Sequence, residues 1–370
     1  MNCEILHWSY RDFRLIPEEL RSFGAQVLEV YLKENFIPSI PQWFFEQMTH
    51  LRFLSLAGNL LVDIPEQISL LIHLEVLDLS QNSISLLPNT IGCLHNLTTL
   101  RINENKLTHL PQEIEKLNKL EILDASNNCL LEIPIELGLC KTLREITLND
   151  NYHLIRIPTK IFTMPPLVFL SAERCNLLSL PFAANSTSLE IVRVFKNHSL
   201  THYPLVLEKF MQPNYDILNA VELKRLTISR TSNNFSYRQI NCDLLPRPLI
   251  FPGELTTVLD RRRSGQIPNS LNEICLRSCN GYAKINCSLC LLRPFLPADM
   301  WLRLRQGPVA ICGSPPCSKT IFSECFLGLV KRRNHARPVG FTILFCSKLC
   351  ADLWFQYNCD VYEELYWVAI

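Results

Sequence analysis

Two pairs of cysteines near the C-terminal end have the spacing of metal ligands. They are Cys312-Gly-Ser-Pro-Pro-Cys317 and Cys346-Ser-Lys-Leu-Cys350, separated by about thirty residues. Four thiolates from two such pairs can surround one metal ion tetrahedrally, which is how proteins hold structural zinc. We therefore predict that Cys312, Cys317, Cys346 and Cys350 bind one structural Zn²⁺. The alternative is that these thiols are unliganded and buried as small apolar groups.

The second pair needs a strand and a helix to hold it in place. Residues 341–345, Phe-Thr-Ile-Leu-Phe, have the composition of a strand leading into Cys346. Ser347 is predicted to cap a helix whose first turn carries Cys350 and whose next turn carries Trp354, and the helix N-terminus would stabilise the thiolates. This half resembles the Phe-Cys-Ser-x-x-Cys motif of treble-clef zinc fingers. The first pair departs from that family, which usually has two residues between its cysteines.

Other cysteines offer rival ligands. Cys287-Ser-Leu-Cys290 has the two-residue spacing that metal-binding loops favour, so this pair is an alternative first half of the site. Its surroundings are rich in leucine and isoleucine at helical spacing, which is more typical of a core helix. Cys325, His335 and Cys359 could form a second site, but no Cys-x-His-x-x-Cys step supports a ubiquitin-ligase RING domain.

The N-terminal half repeats one pattern, in which leucines precede an asparagine and an Ile-Pro or Leu-Pro step follows it. The asparagine positions lie 22 to 24 residues apart. They are Asn35, Asn59, Asn82, Asn105, Asn128, Asn151, Cys175 and Asn197. A period this regular predicts a solenoid, because one repeat cannot bury its own apolar edge and must stack on its neighbours.

Each position of the repeat has a mechanical role. The Leu-x-Leu alternation predicts a short strand, and stacked repeats would join these strands into a parallel sheet. The asparagine amide can bond backbone groups that the turn would bury unpaired, and the proline begins a short helical or 3₁₀ segment. An extra residue after Asn151 and after Asn197 should bulge the loop there. The frame resembles leucine-rich repeats of the 23-residue intracellular class, in which cysteine also replaces the asparagine.

The resemblance implies an α/β fold, a leucine-rich-repeat solenoid with a curved parallel sheet, followed by a small mixed α+β cysteine-rich C-terminal domain. Residues 1–26 are the predicted N-terminal half repeat and cap, residues 27–205 the eight repeats, and residues 206–370 the C-terminal domain with the candidate zinc site. In that domain we predict strands over 221–229 and 236–241 and helix starts near Phe251, Ile267 and Leu296.

The residues on either side of each buried leucine, the x positions of the Leu-x-Leu alternation, would point away from the core onto the concave face of the sheet. One column of them is largely apolar and the next carries both signs of charge, which suits a surface that binds a partner in one register. We predict that a protein partner contacts ten residues: Tyr31, Phe53, Val76, Asp78, Arg101, Ile122, Asp124, Phe169, Ile191 and Arg193. The alternative is that these residues are exposed without function, or that the C-terminal domain covers them.

Composition argues against several other classes. The formal net charge is +1, so no overall field attracts nucleic acid or anionic membrane. Sixteen cysteines without a secretory signal favour thiols or metal ligands over disulfides, and no apolar run reaches the roughly 18 to 20 residues that span a bilayer, so a cytoplasmic location is expected. Glycine is scarce, at 11 residues, and no phosphate-loop, Gly-x-Ser-x-Gly or His-Glu-x-x-His motif supports an enzyme.

We therefore predict a non-catalytic intracellular adaptor or scaffold that binds a protein partner of unknown identity, with no nucleic acid, membrane or small-molecule substrate. Two alternatives stay open. One is a zinc-containing regulatory or substrate-recognition subunit in ubiquitin transfer. The other is nucleic-acid binding through the C-terminal domain, where basic triplets occur at 261–263 and 331–333.

Overall fold

The computed structural model describes residues 5–183, 188–200 and 203–210 in continuous stretches. Beyond these it describes shorter pieces, residues 227–228, 237–240, 249–252, 257–260, 273, 276–277, 280, 296–306, 308–314, 317, 319–322, 324–333, 340–364 and 368–369. Contacts divide the chain into two compact units. One consists of Met1–Ile155, Met164–Asn176 and Asn185–Lys196, and the other of Arg156–Thr163, Leu177–Ala184 and Asn197–Ile370. No helix within the described stretches is long and apolar enough to cross a membrane.

The first unit is built on one sheet of nine parallel strands, in which every strand pairs with the next along the chain. The strands are β1 (Ile5–His7), β2 (Glu29–Tyr31), β3 (Phe53–Ser55), β4 (Val76–Asp78), β5 (Thr99–Arg101), β6 (Ile122–Asp124), β7 (Glu145–Thr147), β8 (Phe169–Ser171) and β9 (Ile191–Arg193). The middle residue of each strand, such as Leu77 or Leu123, is buried in the core, and its two neighbours point to the opposite face. The predicted solenoid is confirmed.

The asparagine side chains join each repeat to the one before it. The Asn105 amide donates to the carbonyls of Leu79, Ile102 and Asn103 at 2.9, 3.1 and 3.2 Å, and its Oδ1 accepts from the Ile84 N–H at 3.0 Å. Because Asn105 is only 8% exposed, these bonds pair backbone groups that would otherwise be buried without partners. The same pattern recurs at Asn59, Asn82, Asn128 and Asn151.

The extra residue after Asn151 changes what the next repeat requires. It allows the Leu154 N–H to donate to the Asn151 carbonyl at 3.0 Å, within its own loop. In the other repeats the equivalent N–H donates to the next asparagine. The asparagine position of the next repeat therefore needs a hydrogen-bond donor but no acceptor. Cys175 occupies this position and supplies the donor, with its Sγ 3.3 Å from the Leu148 carbonyl.

A residue in the left-handed backbone region precedes each asparagine position. The φ angles lie between 51° and 65° at Glu34, Gly58, Gln81, Glu104, Asn127, Asp150, Arg174 and Lys196. Only Gly58 adopts this conformation without a steric cost. The hydrogen bonds of the stacked repeats must therefore stabilise the turn at the other seven positions.

Prolines start most of the short helical segments. Their φ angles of −57° to −69° suit a first helical turn, as the repeat pattern predicted. The helices are α1 (Gln42–Gln47) and α2 (Thr159–Phe162). The 3₁₀ segments are Glu18–Ser22, Gly24–Gln26, Glu66–Leu70, Asn89–Cys93, Gln112–Lys116, Ile135–Leu139 and Leu205–Phe210.

The second unit contains a five-stranded sheet of β10 (Tyr203–Pro204), β14 (Thr257–Asp260), β17 (Glu324–Arg332), β18 (Gly340–Phe345) and β19 (Tyr362–Glu364). The antiparallel pair β17 and β18 forms its centre. Three two-stranded sheets join β11 (Thr227–Ile228) to β20 (Val368–Ala369), β12 (Tyr237–Ile240) to β13 (Leu249–Pro252), and β15 (Ala310–Ile311) to β16 (Thr320–Ile321). The helices are α3 (Ala298–Gln306) and α4 (Lys348–Asn358).

Sequence patterns predicted the elements of this unit unevenly. The strand over 236–241 and the helix after Leu296 are confirmed, and within 221–229 the described residues 227–228 form a strand. The helix start near Phe251 is wrong, because β13 and β14 occupy that segment. Val258 pairs with Cys325 of β17, and this long-range pairing outweighs the local proline signal. The Ile267 start lies outside the described residues, although residues 273, 276–277 and 280 are helical.

Candidate functional site

The structure brings the four predicted cysteines of the C-terminal unit together. The Sγ atoms of Cys312, Cys317, Cys346 and Cys350 all lie within 4.8 Å of one another. Sγ of Cys346 is 3.4 Å from that of Cys317 and 3.7 Å from that of Cys350. Tetrahedral zinc with Zn–S bonds of about 2.3 Å places its sulfurs about 3.8 Å apart. The donor set and its dimensions therefore fit one such ion.

A hairpin made by β15 and β16 presents the first pair. Cys312 directly follows β15, and the next residue, Gly313, donates its N–H to the Leu344 carbonyl at 2.8 Å. A Cβ at Gly313 would collide with the side chain of Ile343, so only glycine allows this approach to β18. The close approach holds Cys312 and Gly313 against the strand that leads to the second pair.

The second pair lies where β18 passes into α4, as predicted. Ser347 is the N-cap, and its Oγ accepts from the Cys350 N–H at 3.2 Å. The Cys346 N–H donates to Sγ of Cys312 at 3.4 Å, a backbone contact that supports a thiolate ligand. Trp354 is buried one turn later, with its ring centroid 6.0 Å from that of Phe345.

Two thiols of the cluster, those of Cys346 and Cys350, have a raised pKa and so hold their protons more tightly than a free cysteine does. The contact with Cys312 raises the pKa of the Cys346 thiol above its ordinary value, and burial raises it further. Burial is also the main reason why the pKa of Cys350 is raised. A metal ion must therefore displace protons from the cluster, which makes its binding dependent on pH.

The other candidate ligands that the structure describes lie outside this cluster. Cys325 is buried in β17 and Cys359 is exposed after α4. Among the described residues, the metal-sized group consists of the four cysteines alone. Cys287, Cys290 and His335 lie outside the described residues, so the rival first pair stays a prediction.

Strand pairing places the ten predicted partner-binding residues in two rows. The first row contains Phe53, Val76, Ile122, Phe169 and Ile191, and the second contains Tyr31, Asp78, Arg101, Asp124 and Arg193. Their side chains are half-buried, except for the exposed Arg101. The first row also includes the polar residues Glu29, Thr99 and Glu145. The complete rows of the strands and the two residues before each asparagine position form what we call the outward face of the sheet. Binding at this face stays a prediction.

Aromatic rings run across the first three strands of the outward face. The rings of His7 and Tyr31 stack at 4.4 Å between centroids, and those of Tyr31 and Phe53 at 4.5 Å. Burial and the hydrogen bond to Glu29 raise the pKa of the Tyr31 hydroxyl, which donates to Glu29 at 2.9 Å. The sequence analysis missed His7. The alternation of Ile5-Leu6-His7 in the half repeat was the signal that places it in the second row.

Serine hydroxyls fix the central acidic residues. Oδ1 of Asp78 accepts from the Ser80 N–H at 3.1 Å and from its hydroxyl at 2.6 Å. Asp124 is held in the same way by Ser126, at 3.0 and 2.6 Å. A serine contributes no charge, so each Asp-x-Ser step orients a carboxylate and leaves its negative charge in place.

Comparisons with known proteins agree with the repeat fold. Residues 42–151 match the family described as leucine-rich repeat region. No curated protein matches significantly. The first unit is thus a leucine-rich-repeat solenoid, and the match covers less than half of the chain.

Several solved structures are similar to part of this chain. A leucine-rich-repeat protein of Leptospira interrogans is 21% identical over 57% of this chain and 68% of its own, with a TM-score of 0.33. Internalin C2 of Listeria monocytogenes is 19% identical over 52% of this chain and 80% of its own, with a TM-score of 0.43. The complex PEPR1-AtPEP1 contains a chain that is 28% identical over 54% of this chain and 30% of its own, with a TM-score of 0.46. The function must therefore be argued from the residues of this chain.

Proposed function

We propose that the protein is a non-catalytic adaptor or scaffold whose repeat sheet binds another protein on its outward face. The first row carries this proposal. Phe53, Val76, Ile122, Phe169 and Ile191 stand in register on the side of the sheet opposite the leucine core. Apolar side chains that share a face in this way commonly mark a binding surface. The charges of the second row would hold the partner in one register and exclude others.

Charge introduced into the first row tests the proposal. The triple variant Phe53→Asp/Ile122→Asp/Phe169→Asp should lose partners captured by proximity labelling, because carboxylates would be desolvated in the contact. These side chains are only half-buried, so circular dichroism should show an intact fold. The control variant Leu70→Asp/Leu86→Asp/Leu139→Asp changes exposed leucines away from the sheet and should retain capture. If both variants capture the same partners as the parent, the outward face is not the binding surface.

We propose further that Cys312, Cys317, Cys346 and Cys350 hold one structural zinc ion that stabilises the C-terminal unit. The support is the four-sulfur cluster, with separations suited to a tetrahedral ion and a capped helix N-terminus under Cys350. With all four positions filled by protein ligands, such a site would leave no open position for substrate. Its role would be to fix the hairpin and α4 to one another.

Metal analysis and unfolding test the zinc site together. The purified chain should contain about one zinc ion. Cys346→Ser should lower this content and shift the unfolding of the C-terminal unit to lower temperature, and a chelator should do the same to the parent. Cys359→Ser, which changes an exposed cysteine outside the cluster, is the matched control. Identical unfolding of Cys346→Ser and the parent, with and without chelator, would exclude the site.

Three finer assignments also stay proposals. The order of repeats and cysteine segment resembles leucine-rich repeat-containing protein 28, a likeness that adds no activity. Free thiols suit a cytoplasmic location. The alternatives of ubiquitin transfer and nucleic-acid binding stay predictions, since no geometry among the described residues favours either of them over a protein-binding scaffold.

A further inference from the structure

The charges on the outward face are unbalanced. Over β2–β7 the face carries two cations, Lys33 and Arg101, against seven carboxylates. One of these, Asp150, is neutralised by Arg174 at 2.6 Å. Six remain: Glu29, Glu34, Asp78, Glu104, Asp124 and Glu145. The whole chain has a net charge of +1, so the acidic character belongs to this face and not to the protein as a whole.

Neutral groups hold four of these six carboxylates in place. Glu29 accepts from the Tyr31 hydroxyl, and Glu104 accepts from the Gln81 amide at 3.2 and 3.3 Å. Asp78 and Asp124 accept from serines, as described above. No described lysine or arginine forms an ion pair with any of the six. The face therefore presents fixed negative charge among apolar side chains, which favours a positively charged ligand.

We infer that the partner segment bound by this face is extended and basic, with lysine or arginine side chains that meet the carboxylates and apolar side chains that lie on the first row. The inference rests on the proposed function, since it specifies which kind of protein surface the sheet accepts. Charge complementarity is its main support. A second support is the aromatic run, where Tyr31 and Phe53 place apolar ring surface next to the Glu29 carboxylate, so that a lysine or arginine can pack its aliphatic stem on the rings while its charge meets Glu29.

The spacing of charges restricts how such a segment would lie. Asp78 and Asp124 are two strands apart in the second row, which corresponds to about 10 Å. Three residues of a polyproline II chain, an extended conformation with three residues per turn, also cover about 9 Å and bring every third side chain to the same side. Arg101 lies between the two aspartates and would repel a cation placed opposite it. A basic residue at every third position therefore suits the face better than an uninterrupted basic run.

Three synthetic peptides test this chemistry directly. Each has four copies of a triplet, Lys-Val-Thr, Gln-Val-Thr or Glu-Val-Thr, and carries a fluorescent label whose anisotropy reports binding to the full chain. The lysine peptide should bind at least about tenfold more tightly than either twin, and its affinity should fall as salt rises because the charges are exposed. Equal affinity for the three peptides, or no binding of the lysine peptide, overturns the inference.

Charge-neutralised variants locate the site. Asp78→Asn/Asp124→Asn/Glu145→Gln keeps the shape and the acceptors for serine but removes three charges, and it should bind the lysine peptide about tenfold more weakly. The control Glu19→Gln/Glu66→Gln/Glu132→Gln removes three exposed charges outside the outward face and should bind as the parent does. An equal loss in both variants would mean a general charge effect and would contradict the inference.

The two proposals can fail separately. If the aspartate triple variant of the first row loses its cellular partner while the charge-neutralised variant keeps it, the face binds proteins but the basic-segment inference is wrong. If neither variant loses the partner, the proposed function itself fails.

Discussion

At the scale of single residues, the asparagine position shows how one backbone group decides which side chain a repeat accepts. An asparagine has to accept one N–H from the preceding repeat and donate to carbonyls of that repeat and of its own. Cysteine donates but accepts only weakly, and it occurs where the N–H of the preceding repeat, that of Leu154, already has a partner in its own loop. The substitution at Cys175 and the insertion after Asn151 are therefore structurally coupled.

This coupling predicts opposite outcomes for two exchanges. Asn128→Cys removes the acceptor of the Leu107 N–H, now 3.0 Å away, and should destabilise the protein by about 2 kcal/mol, the cost of an unpaired buried donor. Cys175→Asn should give no stabilisation, because its new oxygen finds no waiting donor at Leu154. Urea unfolding of both variants measures the difference. A stabilised Cys175→Asn variant would show that the cysteine is merely tolerated.

At the scale of elements, short sequence patterns correctly predicted those elements that depend only on residues close together in the chain. The Leu-x-Leu strands, the proline-capped segments and the Ser347 cap each depend on residues within one repeat or one turn, and the structure has all of them. The strand β14 was not predictable in this way, because its partner β17 lies more than sixty residues further along the chain. Long-range pairing leaves little trace in a short window of sequence.

The candidate sites were likewise predictable only where they depend on residues close together in the chain. Spacing alone suggested which cysteines form the cluster, but it could not exclude Cys287 and Cys290. The approach of Gly313 to β18, which holds the first pair in place, depends on a contact between distant segments. The seven non-glycine residues in left-handed conformation before the asparagine positions also escaped prediction, since polar side chains like theirs occur along the whole chain and only the asparagine ladder explains their conformation.

At the scale of the molecule, the repeats form a one-dimensional array with a direction. The described side-chain bonds of the asparagines from Asn59 to Asn151 go to their own repeat and to the one before it, and none goes to the one after it. The free energy of such an array is approximately a sum of repeat terms and nearest-neighbour terms. A defect at one asparagine should therefore spread toward the N-terminal neighbour and leave the C-terminal neighbour unchanged.

Hydrogen exchange of Asn105→Ala tests this direction. The Ile84 N–H lies in the repeat before Asn105 and loses its acceptor in this variant. It should exchange at least about tenfold faster, which corresponds to a loss of about 1.4 kcal/mol in protection free energy. The Leu107 N–H is bonded to Asn128 in the following repeat and should keep its protection. Asn103→Ala, in the same repeat but on the outward face, is the control and should change neither amide. In a purely nearest-neighbour array the defect stays at the interface that the missing Asn105 side chain had closed. Equal loss of protection at both amides in Asn105→Ala would therefore show that the repeats open as one cooperative block.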